Sequence, residues 1–143
     1  MKDLSGQTII VTGGGKGIGR GITTAFAKAG AHVAICGRSE PEAFDSEIAD
    51  HIHFIELDIR EAENAETLID FAASFGHPIT TLINNAGGGP PVASAEASPS
   101  LTEKVIKLNL LAPIYLSQAA YNYMRANDVN GSIINISSVS ATR

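Results

Sequence analysis

The sequence predicts an α/β fold, a doubly wound parallel sheet of five strands with helices on both faces. Three observations carry that expectation. Short apolar runs alternate with helical patterns along the whole chain. Those runs are continuously apolar, as strands buried on both faces are. The first of them passes straight into a glycine cluster and then a helical pattern, Thr8 to Ala29, the opening of a strand–helix–strand unit.

Each element follows from local pattern. Thr8–Val11 is a β-branched first strand. After the glycines, Ile18, Ile22, Ala25, Phe26 and Ala29 recur three or four apart, and Gly30 ends that helix. Ala31–Cys36 reads as the second strand, and Glu40–Asp50 as a weaker helix with Pro41 near its start. The third strand is His53–Leu57. A helix over Glu61–Phe75 places Ala65, Leu68, Ile69 and Ala72 on one face and stops at Gly76 and Pro78. Thr80–Ile83 is the fourth strand. A Gly, Pro, Ala and Ser loop over Asn85–Ser100 starts at a strand end, which marks it as functional rather than as a linker. The longest helix spans Leu101–Asn127. Pro113 lacks a backbone donor and should kink it near Asn109. Its apolar residues, among them Leu101, Val105, Leu108, Leu111, Ile114 and Tyr115, lie on several sides. One side can pack on the sheet; another calls for a cover such as a second subunit. Gly131 and Ser132 precede the fifth strand, Ile133–Ser137.

Composition narrows the function classes. At 143 residues, 44% hydrophobic and 17% charged, the chain suits one globular domain with a real core. A net charge of −5 without a Lys/Arg cluster argues against nucleic acid and membrane-surface partners. Cys36 is the one cysteine, so no internal disulfide framework exists and a reducing compartment fits. The polar start Met1–Gln7 and the brief run Ile9–Val11 do not make a signal peptide, and no segment is long and apolar enough to span a bilayer. A cytoplasmic location is expected. His32, His51, His53 and His77 show no metal-ligand spacing, so no metal is expected, and surface or strand positions explain them.

The glycine cluster carries the chemistry. Thr12-Gly13-Gly14-Gly15-Lys16-Gly17-Ile18-Gly19 joins a strand to a helix. Glycines there let the backbone turn sharply and approach a pyrophosphate, while the helix N-terminus offers amide donors. The strict G-x-G-x-x-G spacing and the Walker pattern are both absent; the spacing is Thr-Gly-x-x-x-Gly-x-Gly. The second strand ends Ile35-Cys36-Gly37-Arg38-Ser39, with no acidic residue to take ribose hydroxyls. Arg38, with Lys16 in the glycine loop, suits a 2′-phosphate instead, so NADP(H) is expected over NAD(H).

These motifs resemble the short-chain dehydrogenase/reductase family, a Rossmann-type fold, along the whole chain from Leu4 to Arg143. Thr12-Gly13-x-x-x-Gly17-x-Gly19 is similar to its cofactor motif. Leu57-Asp58 resembles the family's adenine-contacting acidic position, and Asn84-Asn85-Ala86-Gly87 its Asn-Asn-Ala-Gly signature. Asn109 matches the active-site Asn, and Ser138 the catalytic Ser. The resemblance implies cofactor contacts from Gly13, Gly15, Lys16, Gly17, Ile18, Gly19, Arg38, Ser39, Asp58, Ile59, Asn85, Ala86 and Gly87. It implies hydride transfer between NADP(H) and a carbonyl or alcohol carbon of a small molecule. Reduction of a carbon–carbon double bond of a thioester is open on the same scaffold.

The family's Tyr-x-x-x-Lys pair belongs after strand five. A neighbouring ammonium must lower the Tyr pKa from near 10 for it to act at neutral pH. Five residues follow Ser138, and none is Tyr or Lys. Tyr121-x-x-x-Arg125 precedes Ser138 and is no substitute. Residues 1–143 are therefore expected to be one NADP(H)-binding domain truncated after the fifth strand, inactive alone. A homo-oligomer is expected, and a complementary C-terminal fragment could remain bound after cleavage in the loop ending Ala141-Thr142-Arg143. The alternative is a non-catalytic nucleotide-binding or interaction module.

Overall fold

A computed structural model describes residues 3–138; Met1, Lys2 and residues 139–143, with the expected cleavage loop, lie outside the described residues. Five parallel strands run β1 (Thr8–Thr12), β2 (His32–Gly37), β3 (Ile52–Glu56), β4 (Ile79–Asn84) and β5 (Ser132–Asn135). They lie in the order β3-β2-β1-β4-β5. Between them come α1 (Gly17–Lys28), α2 (Ser46–Ala49), α3 (Asn64–Ala73), α4 (Pro99–Ile106) and α5 (Ala112–Ala126). The doubly wound α/β architecture is the one the sequence implies.

Strand periodicity sorts the core into two layers, because successive side chains face opposite ways. Ile9, Val11, Val33, Ile35 and Ile83 pack with Ala27 of α1 and Ile48 of α2. Ile10, Ala34, Cys36 and Leu82 pack on the other face with Leu68 and Ala72 of α3 and Leu116 and Ala120 of α5. Ile9, Ile10, Leu68, Leu82 and Leu116 are fully buried, and burying each such side chain is worth about 1.5–3 kcal/mol. β5 lies at one edge of the sheet, with Ile134 exposed on it and Ile136 exposed just past its end.

Three expected elements differ. The helix expected over Glu40–Asp50 shrinks to α2, Ser46–Ala49. Its first carbonyls are engaged elsewhere: Arg20 Nη1 donates to Glu42 O at 2.8 Å, and Nη2 donates to Ala43 O. The helix expected from Glu61 begins at Asn64, because a turn comes first, with Asn64 Nδ2 donating to Asp58 O at 2.8 Å. The single long helix is two helices joined by a π-helical turn, Lys107–Leu111. Pro113 has no N–H for the preceding turn, and the wider turn in front of it absorbs the break.

The histidines are not scattered. His32 opens β2, His51 and His53 flank the start of β3, and His77 precedes β4. All four therefore meet at the N-terminal edge of the sheet. His32 stacks on His77 at 4.8 Å between ring centres and lies 5.2 Å from His51. His32 Nδ1 sits 3.2 Å from His53 Nε2. No group of three or more His, Cys, Asp or Glu among the described residues is arranged to hold a metal.

Candidate cofactor-binding site

The strand order reverses between β1 and β4, which are hydrogen-bonded neighbours. Chain leaving β1 crosses to β2 on one side, and chain leaving β4 crosses to β5 on the other. In open α/β sheets a crevice opens beyond the carboxyl ends of two such strands. Here it is a cleft of about 840 Å³.

One wall is the glycine loop. Gly17 has φ 54°, in the left-handed region, and a Cβ there would meet nothing within 4 Å. At Gly19 a Cβ would collide with the Gly13 carbonyl oxygen and Asn85 Nδ2. That glycine is needed for close approach of α1 to both strand ends. Lys16 precedes α1 in extended conformation with no side-chain cap, and the first turn holds no acidic residue. The helix N-terminus thus presents unneutralised amide donors toward the cleft.

The opposite wall is the end of β4, fastened to β1 through Thr12. Thr12 Oγ1 accepts from the Asn85 N–H at 3.0 Å and the Ala86 N–H at 2.9 Å. It donates to Ile83 O at 3.4 Å. Asn85 Nδ2 donates to Thr12 O at 2.9 Å, so this side chain braces the two strands rather than reaching into solvent. Asn84 ties β4 to β5 and α5, with Nδ2 donating to Asn135 Oδ1 at 2.9 Å and Ser117 Oγ at 3.1 Å.

The ends of β2 and β3 make the third wall. Leu57 N–H donates to Gly37 O at 2.8 Å, so Arg38 and Asp58 leave the sheet side by side. Arg60 grips Asp58, with Nε 2.9 Å from Oδ1 and 3.0 Å from Oδ2, and Nη2 on Oδ2. Hydrogen bonding from Arg60 holds the Asp58 carboxyl below its usual range. Behind this wall Cys36 is buried, and burial pushes its thiol up to about 12, leaving it protonated.

Every residue expected to contact cofactor lines this one cleft. Gly13, Gly15, Lys16, Gly17, Ile18 and Gly19 come from the loop, Arg38, Ser39, Asp58 and Ile59 from β2 and β3, and Asn85, Ala86 and Gly87 from β4. The two residues expected to be catalytic stand outside that lining. Asn109 lies in the π turn, with Nδ2 donating to Gly88 O and Oδ1 accepting from Gly88 N–H, both at 2.8 Å. Ser138 is exposed beyond β5, on the same side of the sheet, since the Ile136 N–H reaches Asn84 O at 2.9 Å. Arg20, Glu40, Glu42 and Arg60 also line the cleft and were not anticipated. Their sequence signal is weak, because loop contacts bring them there.

The model of the family described as short chain dehydrogenase matches residues 7–143. The chain belongs to the short-chain dehydrogenase/reductase family. Among its relatives, Glucose 1-dehydrogenase 2 of Bacillus subtilis (strain 168) is 32% identical, over 96% of this chain and 56% of that protein. L-fucose dehydrogenase of Bos taurus is 36% identical, over 94% of this chain and 50% of that protein. Among solved structures, a short chain dehydrogenase from Bacillus anthracis str. 'Ames Ancestor' superposes with TM-score 0.85 at 33% identity, over 94% of this chain and 58% of that one. ElxO with NADP bound gives 0.83 at 30% identity, over 100% and 58%. The chain spans about half the length of the curated relatives it matches. The family is one of oxidoreductases that use nicotinamide coenzymes.

Proposed function

We propose that residues 1–143 form the NADP(H)-binding Rossmann domain of an oxidoreductase that moves a hydride between the nicotinamide and a carbonyl or alcohol carbon of a small molecule. One observation carries the coenzyme choice. Four cations line the cleft, Lys16, Arg20, Arg38 and Arg60. Arg20 is bound to three backbone carbonyls and Arg60 to Asp58. The side chains of Lys16 and Arg38 make no hydrogen bond or ion pair among the described residues, so they remain for a 2′-phosphate. The NADP bound to ElxO supports the same reading.

The residues present fit such a group. The open face at Gly17 and the uncapped start of α1 suit the pyrophosphate. Asp58 and Ile59 would flank the adenine, while Asn85, Ala86 and Gly87, held by Thr12, would shape the inner end. When bound, the coenzyme supplies or accepts the hydride. Ser138 would hold the substrate oxygen, and Asn109 would fix the loop at Gly88 beside it.

Self-association fits as well. Ile106, Leu110, Ile114 and Tyr121 form an exposed apolar stripe along α4, the π turn and α5. A cytoplasmic setting is part of the proposal; among the described residues no helix is long and apolar enough to cross a membrane.

Competition binding tests the coenzyme assignment. NADPH should bind at least tenfold more tightly than NADH, and Arg38→Ala should remove most of that difference, about 1.4 kcal/mol per factor of ten. Equal binding of the two coenzymes, or an unchanged preference in the variant, overturns it.

A further inference from the structure

Arg60 does more than fill surface space. Its Nε reaches both Asp58 oxygens, its Nη2 takes Oδ2, and its own N–H donates to Asp58 Oδ1 at 3.1 Å. The Asp58 carboxylate is thereby surrounded from one side by a single residue two positions on. Arg38 lines the same cleft as Asp58. The pairing of Gly37 with Glu56 places the two strand ends next to each other, and the Arg38 charge is felt at Asp58.

A carboxylate in that position, left without Arg60, would pair with the next guanidinium, which is Arg38. It would also stand as a bare negative charge beside the place a 2′-phosphate must occupy. Both effects weaken a phosphate-bearing coenzyme and leave one with a plain ribose nearly untouched.

We propose that Arg60 is a positioning residue for coenzyme choice: by holding both Asp58 oxygens, it keeps Arg38 available to the 2′-phosphate. The inference rests on the NADP(H) reading of this cleft. It makes a demand that a merely structural role does not. If Arg60 acts through the Asp58 charge, its effect must vanish when that charge is removed.

The experiment is competition binding of NADPH and NADH to the wild-type protein, Arg60→Ala, Arg60→Lys, Asp58→Asn and the double variant Asp58→Asn/Arg60→Ala. Arg60→Ala should weaken NADPH about tenfold and NADH less than about twofold, as loss of one partly screened charge contact implies. Arg60→Lys keeps the charge but not the fork, and should fall between. Asp58→Asn should alter the affinity for both coenzymes alike and leave their ratio at the wild-type value. The double variant should show the same NADPH/NADH ratio as Asp58→Asn alone. An unchanged ratio in Arg60→Ala overturns the proposal. So does an undiminished loss in the Asp58→Asn background, which would mean that Arg60 meets the phosphate itself. A wild-type protein without NADPH preference defeats the underlying NADP(H) reading, whatever the Arg60 variants do.

Discussion

Thr12→Val is the most telling single change to the frame of the cleft. Valine matches threonine in shape and is at home in a buried strand, so packing is kept. What disappears is one hydroxyl on which two backbone donors converge, the N–H groups of Asn85 and Ala86 at 3.0 and 2.9 Å. Thr12 is 1% exposed, so water cannot replace the hydroxyl on its own side. Each donor left unmatched costs about 1–3 kcal/mol when buried. Both lie in half-buried residues, so a total of about 2–4 kcal/mol is expected. For a chain of this size that corresponds to a fall in Tm of roughly 6–15 °C. Thr12→Ser keeps the hydroxyl and gives up a methyl, at about 1 kcal/mol. Urea unfolding of both variants beside wild type measures the difference. If Thr12→Val is no less stable than Thr12→Ser, the hydroxyl does not hold the β4 end in place and the reasoning fails.

Two glycines of α1 should respond in opposite directions. Gly19→Ala drives a methyl into the Gly13 carbonyl, which is backbone and cannot swing away; NADPH binding should weaken by at least about tenfold, read by titration. Gly21→Ala meets nothing within 4 Å inside the same helix, and thermal melting should show a gain of about 0.5–1 kcal/mol. Asn109→Ala frees the backbone of Gly88 on both its N–H and carbonyl sides, so limited proteolysis should cut the 88–98 loop faster than in wild type. The histidine cluster should make stability fall in mild acid. Burial, reinforced by neighbouring imidazoles, holds His32 and His53 below their usual range. The unfolded chain therefore takes up protons first, near pH 6.5, and stability present above that pH is lost as pH falls toward the folded values. Urea midpoints at neutral and mildly acidic pH should show this dependence, and His32→Asn/His53→Gln should flatten it; an equal slope in the variant would exclude the cluster as its source.

The sheet was legible because its strands are continuous β-branched runs, and burial on both faces leaves no other home for Ile9–Val11 or Val33–Ile35. The cleft was legible because its residues sit at strand ends beside glycines, where local pattern and function coincide. Arg20 and Arg60 were not. Nothing at position 20 announces that its guanidinium will cap carbonyls 22 and 23 residues away and lie 3.9 Å over the Phe44 ring. The same contacts erased the first half of the helix expected from Glu40. His32, His51, His53 and His77 come together through strand register alone, which spacing along the chain does not reveal. Pro113 gave a true signal of a broken helix; its resolution as a π turn depends on how α5 seats against β4 and α3.

Amide-resolved NMR during titration with NADPH tests the proposed site most directly. Shifts confined to Gly13–Gly19, Arg38–Ser39, Asp58–Ile59 and Asn85–Gly87, larger at Arg38 with NADPH than with NADH, are expected. Absence of shifts there, or their concentration around His32 and His77 at the other end of the sheet, would contradict the assignment of this cleft to the coenzyme.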